Sequence, residues 1–194
     1  GIVGPDAICE GDTLTLRATD GFDTYDWTDS SGTILSANHD RELTLPTLIP
    51  GTHRYLLAVT DSAGCSGVAG PHVVMVHPLP TLPVLTCHGD TVIAEHPSAI
   101  SYQWYLGSSM VVGESREIIV PTRDGVYSVL IADAHGCRVQ SPAYVFAREA
   151  SATVQLPFLT AVPGERVRIP LSLTASKNLV QGGARDFTAL IRFD

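Results

Sequence analysis

Four cysteines, Cys9, Cys65, Cys87 and Cys137, are the residues best suited to covalent chemistry, and each has a counterpart. Cys9 opens Cys-Glu-Gly-Asp and Cys87 opens Cys-His-Gly-Asp, while Cys65 closes Asp-Ser-Ala-Gly-Cys and Cys137 closes Asp-Ala-His-Gly-Cys. Thiols placed in this way can oxidise to disulfides or, with histidine, hold zinc. Closing the second pair would bring His88 and His135 up to Cys87 and Cys137 as a Cys2His2 set. The first copy has Glu10 and Ala63 at those positions and cannot complete such a site, so disulfides are the reading and no metal is assigned.

The acidic series Asp20, Asp23, Asp26 and Asp29 is the other group with ligand chemistry. Calcium needs six to eight oxygens converging on one loop, whereas Asp26 falls on a strand pattern, so a solvated acidic face is expected. The common catalytic constellations are missing from the sequence. Gly113 to Glu117 lacks the second glycine of a nucleophile elbow, there is no His-Glu-x-x-His, and the seven histidines are scattered over turns and linkers. No catalytic residue and no cofactor are assigned, and the chain reads as a non-enzyme. Trp27 and Trp104 could stack on sugars, but their shared position ahead of an alternating strand places them in a core with Tyr25, Tyr55, Tyr102 and Tyr127. Tyr105, on the opposite face from Trp104, is the candidate for an exposed ligand contact.

These residues sit in a repeated frame. Cys9 to Trp27 spans 18 positions and Cys87 to Trp104 spans 17, while Tyr55 to Cys65 and Tyr127 to Cys137 both span 10. Around the anchors, apolar residues alternate with period two, as half-buried strands do. The pattern runs through Leu14 and Leu16, Tyr25 and Trp27, Leu43 and Leu45, Tyr55 to Val59, and Val73 to Val76. In the second copy it runs through Thr91 to Ala94, Tyr102 to Tyr105, Glu117 to Val120, Tyr127 to Ile131 and Ala143 to Phe146. No stretch holds a 3.6-residue period for three turns, so the expected class is all-β. His77 to Pro83 carries three prolines and reads as a short semi-rigid spacer. Beyond Ser151 the cysteine frame stops. Val154, Leu156 and Phe158, then Val167 to Leu173, then Phe187 to Phe193 predict three strands, too few to bury two sheets.

Composition narrows the partners. A net charge of −8 and a single lysine, Lys177, beside eleven arginines argue against a basic nucleic-acid footprint. No run of about 18 apolar residues is present to insert in a membrane as a helix. Units of roughly 70 residues are near the size where a core is marginal and a staple helps. An even cysteine count in a repeated frame points to a compartment outside the reducing cytosol, extracellular or cell-surface. Because the chain opens on Gly1 it reads as a processed product or an excised piece.

With these residues in hand, the two copies resemble the Ig-like or PKD-like modules of large secreted surface proteins of Bacteroidetes-type bacteria. The resemblance rests on Cys9, Gly11, Asp12, Tyr25, Trp27, Tyr55, Asp61, Gly64 and Cys65, and on Cys87, Gly89, Asp90, Tyr102, Trp104, Gly125, Tyr127, Asp133, Gly136 and Cys137. Thr28 to Gly32 replaces the PKD turn after the Trp strand, which favours the broader Ig-like label. The tail, with Gly164, Val167, Ile169 and Pro170, is similar to the first strands of cohesin-like sandwiches. The resemblance implies tandem Ig-like β-sandwiches over 1–77 and 84–147, a linker at 78–83, and an incomplete third sandwich over 148–194. Within each sandwich one disulfide is expected, Cys9 with Cys65 and Cys87 with Cys137. Such families imply adhesion, spacing or glycan binding in a secreted multidomain chain, commonly exported by a type IX route. The expected partners are neighbouring domains and a surface glycan or protein. The alternative roles are a carbohydrate-binding or accessory module of a secreted hydrolase, and an assembly subunit that accepts a strand at the open third sandwich.

Overall fold

The computed structural model describes residues 1–36, 39–148, 151–170 and 172–177. All regular elements among them are strands. The first copy of the frame forms β1 (Ile2–Val3), β2 (Ala7–Cys9), β3 (Leu14–Ala18), β4 (Thr24–Asp29), β5 (Glu42–Leu45), β6 (Gly51–Thr60) and β7 (Ser66–His77). The second forms β8 (Val84–His88), β9 (Thr91–Glu95), β10 (Ser101–Leu106), β11 (Ser109–Met110), β12 (Ile118–Ile119), β13 (Gly125–Ala132), β14 (Arg138–Gln140) and β15 (Tyr144–Phe146). Two more strands follow, β16 (Ser151–Gln155) and β17 (Ser172–Lys177). By their contacts the residues fall into two compact units. One holds Gly1–Leu82 with His96–Ser101 and Leu130–Gln140, and the other holds Pro83–Glu95, Tyr102–Val129 and the residues from Ser141 onward.

In the first unit, β1, β3 and β5 make one sheet, and β2, β7, β6 and β4 make another in that order. Because side chains alternate across a strand, Leu14, Leu16 and Leu43 leave the first sheet on one face. They meet Tyr25, Trp27, Tyr55, Leu57, Val59 and Val74 from the second in a single buried cluster. Two facing sheets with one core are a β-sandwich of the immunoglobulin type. Full burial of each Leu or Val contributes about 1.5–3 kcal/mol. The alternating strands therefore hold the layers together. The last strand is longer than the expected Val73 to Val76, because β7 pairs with β6 from Ser66 opposite Thr60 to Val76 opposite Gly51.

The second copy of the frame repeats the plan with a shorter middle. One sheet has the order β12, β9, β8, and the other has the order β11, β10, β13, β14, with β15 also paired to β13. Val92, Ala94, Trp104, Tyr127 and Val129 are buried. The rings of Tyr127 and Phe146 pack edge to face at 6.1 Å. The tail departs from expectation. β16 pairs with β17 at Ser172–Lys177, and the segment from Val167 to Pro170 is not a strand. Every described residue from Ser151 to Lys177 is exposed. Among the described residues no second layer covers this segment, so no burial selects the apolar alternation of Val167 and Ile169 as a strand face. Leu171 and the expected strand from Phe187 to Phe193 lie outside the described residues.

The disulfide differs from both expected pairings. Cys9 is bonded to Cys137, with Cα atoms 5.5 Å apart, while Cys65 and Cys87 are free thiols. Strand direction gives the reason. β2 runs parallel to β7 and sets Cys9 beside His77, at the end of the hairpin where Gly51 meets Val76. Cys65 closes the turn at the other end, beyond Thr60 and Ser66. Nine residues of strand at about 3.3 Å each separate these ends by about 30 Å, and a disulfide needs Cα atoms within about 7 Å. In the second copy Cys87 neighbours Tyr144, which pairs with Tyr127 early in β13. Cys137 instead follows the turn after Ala132, where that strand ends.

Candidate functional site

The bonded sulfurs lie in two well-braced pieces of backbone. The Asp12 carboxylate accepts the Cys9 amide at 3.0 Å, and the Glu10 amide donates to the His77 carbonyl at 2.8 Å, which ties the Cys9 segment to the end of β7. Across the bond, Asp133 organises the turn. Its Oδ1 accepts the amides of His135 at 2.9 Å and Cys137 at 3.0 Å, and Gly136 takes the left-handed φ of +83° that the turn requires. The imidazoles of His77 and His135 stack beside this junction with centroids 3.8 Å apart. His135 is thus drawn to His77. Cys137, already in a disulfide, cannot serve as a thiolate ligand, so the Cys2His2 set considered from the sequence is not assembled.

The free thiols occupy the matching positions. Asp61 Oδ1 accepts the amides of Ala63 at 2.9 Å and Cys65 at 2.8 Å, the same bracket as at Asp133, and Gly64 has φ +82°. The Cys65 side of this turn is exposed, whereas Cys137 is fully buried. Cys87 is half-buried, as Cys9 is. Its thiol donates to the Gly89 carbonyl at 3.2 Å. Desolvation first, and the neighbouring Cys87 second, push the Tyr144 phenol above its ordinary value.

The remaining candidates are placed apart. Asp20 pairs with Arg41 at 3.1 Å, Asp26 with His39, and Asp29 accepts hydrogen bonds from Ser31 and Thr33. The acidic series is thus divided among separate partners. Among the described residues no group of three or more His, Cys, Asp or Glu side chains could hold a metal ion. Tyr25, Trp27, Tyr55, Trp104 and Tyr127 are buried, and Tyr102 is half-buried. Tyr105 is half-buried on β10, opposite Met110 of β11. A cleft of about 260 Å³ in the second unit is lined by Leu106, Met110, Glu114, Ile119, Arg123 and Tyr127. It does not include Tyr105 and is smaller than the about 300–1,000 Å³ usual for ligand pockets. What sequence reasoning missed was the junction of Cys9, Cys137, His77 and His135. No sequence signal marks it, because the parallel pairing of β2 with β7 that sets Cys9 beside His77 is a tertiary contact.

No family model matches the chain, and no curated protein matches it. Among solved structures it is similar to the fibronectin(III)-like modules of Clostridium thermocellum CbhA, at 12% identity and a TM-score of 0.46 over 73% of this chain and 87% of that one. It is also similar to a marsupial T cell receptor, at 14% identity and a TM-score of 0.45 over 81% of this chain and 76% of that one. A third similar structure is the Bacteroides ovatus mixed-linkage glucan utilization locus protein SGBP-B in complex with a mixed-linkage heptasaccharide. It is 18% identical, with a TM-score of 0.33, over 72% of this chain and 42% of that one. The fold of this chain is all-β. Among the described residues no helix is long and apolar enough to cross a membrane.

Proposed function

We propose that the chain is a non-catalytic structural segment of a secreted, multidomain cell-surface protein. In this reading 1–77 and 84–147 are successive Ig-like modules about the linker 78–83, and 148–194 opens a third. The observation that carries the reading is the Cys9–Cys137 bond, which spans 128 residues and joins the first copy of the frame to the second. A disulfide of this kind persists only where the surroundings are oxidising. It shields the chain between its ends from being drawn out when the segment bears load, which suits a spacer or adhesive support.

Single-molecule extension of the chain by its termini tests this. With the bond intact, full unfolding is expected to release about 450 Å less contour than after reduction, from 128 residues at about 3.5 Å each. Equal contour lengths before and after reduction would overturn the mechanical role. Saturable binding on a glycan array that is lost in Tyr105→Ala would overturn it in favour of a carbohydrate-binding module.

A further inference from the structure

We propose that Cys65 and Cys87 are the two open ends of a head-to-tail disulfide chain, in which Cys65 of one copy of this protein bonds to Cys87 of the next. The bond already present supplies the rule. It joins a cysteine of the Cys-x-Gly-Asp type, Cys9, to a cysteine of the Asp-x-x-Gly-Cys type, Cys137. Exactly one of each type is left over, Cys87 of the first and Cys65 of the second.

The local structures match as well. The turns before Cys65 and Cys137 share the aspartate bracket and the left-handed glycine. Cys9 stands beside His77 at the end of β7, and Cys87 stands beside Tyr144 at the start of β15, so each lies against the last strand of its copy of the frame. Each copy therefore carries one sulfur beside its last strand and another at a hairpin turn. Contacts between two different patches of this kind repeat head to tail. Burial points the same way. Cys137 is fully covered with its partner in place, whereas Cys65, in the same turn without a partner, is exposed. The second copy departs in one respect, because β8 pairs with β9 and Cys87 lies opposite Val92.

The oxidant is a small disulfide such as oxidised glutathione. The Cys65 thiolate attacks one of its sulfurs and releases one glutathione thiolate, leaving a mixed disulfide. The Cys87 thiolate of a second copy then attacks the Cys65 sulfur and releases the other. Two protein thiols are oxidised, one glutathione disulfide is reduced to two thiolates, and these take up the two protons that the protein thiols lose, giving two glutathione thiols.

The test incubates concentrated protein with one equivalent of oxidised glutathione per chain, so that a free thiol remains to attack each mixed disulfide, and reads it on non-reducing gels with peptide mapping. The wild type is expected to give a ladder of dimers, trimers and higher species linked Cys65 to Cys87, with Cys9–Cys137 intact. Cys65→Ser alone and Cys87→Ser alone should remain monomeric. Mixed together they should give dimer and nothing larger, at about ten times the yield of either variant alone. The proposal is overturned if either variant dimerises by itself as well as the mixture does, if the mixture stays monomeric, or if the mapped bonds are Cys65–Cys65, Cys87–Cys87 or Cys65–Cys87 within one chain. The contour-length readout for the Cys9–Cys137 bond is independent of these results.

Discussion

Tyr55 and Tyr127 occupy the same point of the two copies, ten residues ahead of a cysteine, yet their hydroxyls differ. The Tyr127 hydroxyl donates to the Arg123 carbonyl at 2.9 Å, the tyrosine-corner bond of Ig-type sandwiches. The Tyr55 hydroxyl is buried with no partner among the described residues. Burial, with the charge of Asp29 adding to it, pushes the Tyr55 phenol above its ordinary value. Removing a bonded hydroxyl costs about 1 kcal/mol, whereas removing an unpaired buried one removes a desolvation penalty. Tyr127→Phe is therefore expected to lower stability by about 1 kcal/mol and Tyr55→Phe to leave it unchanged or raise it, as urea denaturation would measure. The two tryptophans are true equivalents. Trp27 Nε1 donates to the Asp40 carbonyl at 3.0 Å and Trp104 Nε1 to the Arg116 carbonyl at 2.8 Å, so each fills its core with its one polar atom satisfied. Their burial was legible in the sequence because type, spacing and alternation agreed. The bonding of each hydroxyl was not, because it depends on where a distant carbonyl comes to rest.

At the scale of the element, short aspartate turns do much of the positioning. Asp29 ends β4 and bonds the loop that follows. The Ser31 hydroxyl at 2.6 Å and then the Thr33 amide at 2.9 Å hold its carboxyl below the ordinary aspartate range. A carboxyl whose folded pKa is depressed contributes its full stabilisation above the unfolded value of about 3.9 and loses it as pH falls through the lower folded value. The amide signals of Ser31 and Thr33 are therefore expected to hold steady down to about pH 4 and to shift below it, and Asp29→Asn should abolish that titration. A midpoint above about 4 would sink the assignment. The strands themselves were readable where one face is buried, as in β3 and β4. They were misread where no face is buried. Alternation from Val167 to Leu173 predicts a strand, but the described tail has no second layer, and pairing falls instead on the more polar Ser172–Lys177.

For the whole molecule, the decisive quantity is the number and identity of free thiols. Under denaturing, non-reducing conditions the monomer is expected to titrate two thiols and to map a single bond, Cys9 to Cys137. Four thiols, or a Cys9–Cys65 peptide, would contradict the structure. Reduction should lower the midpoint of thermal unfolding, since closing a loop of this length is worth about 4–5 kcal/mol in the chain-entropy account. The amino-acid order by itself determined the all-β class, the duplication and the buried tryptophan pair, because these rest on local periodicity and on residue types that recur at fixed spacing. The choice of sulfur partners was decided only by tertiary structure. Sequence spacing shows that Cys9 and Cys65 belong to one copy, but not that parallel pairing of β2 with β7 sends them to opposite ends of a hairpin about 30 Å long. A covalent bond forms between atoms that meet in space, and strand direction brings Cys9 to the turn of the other copy.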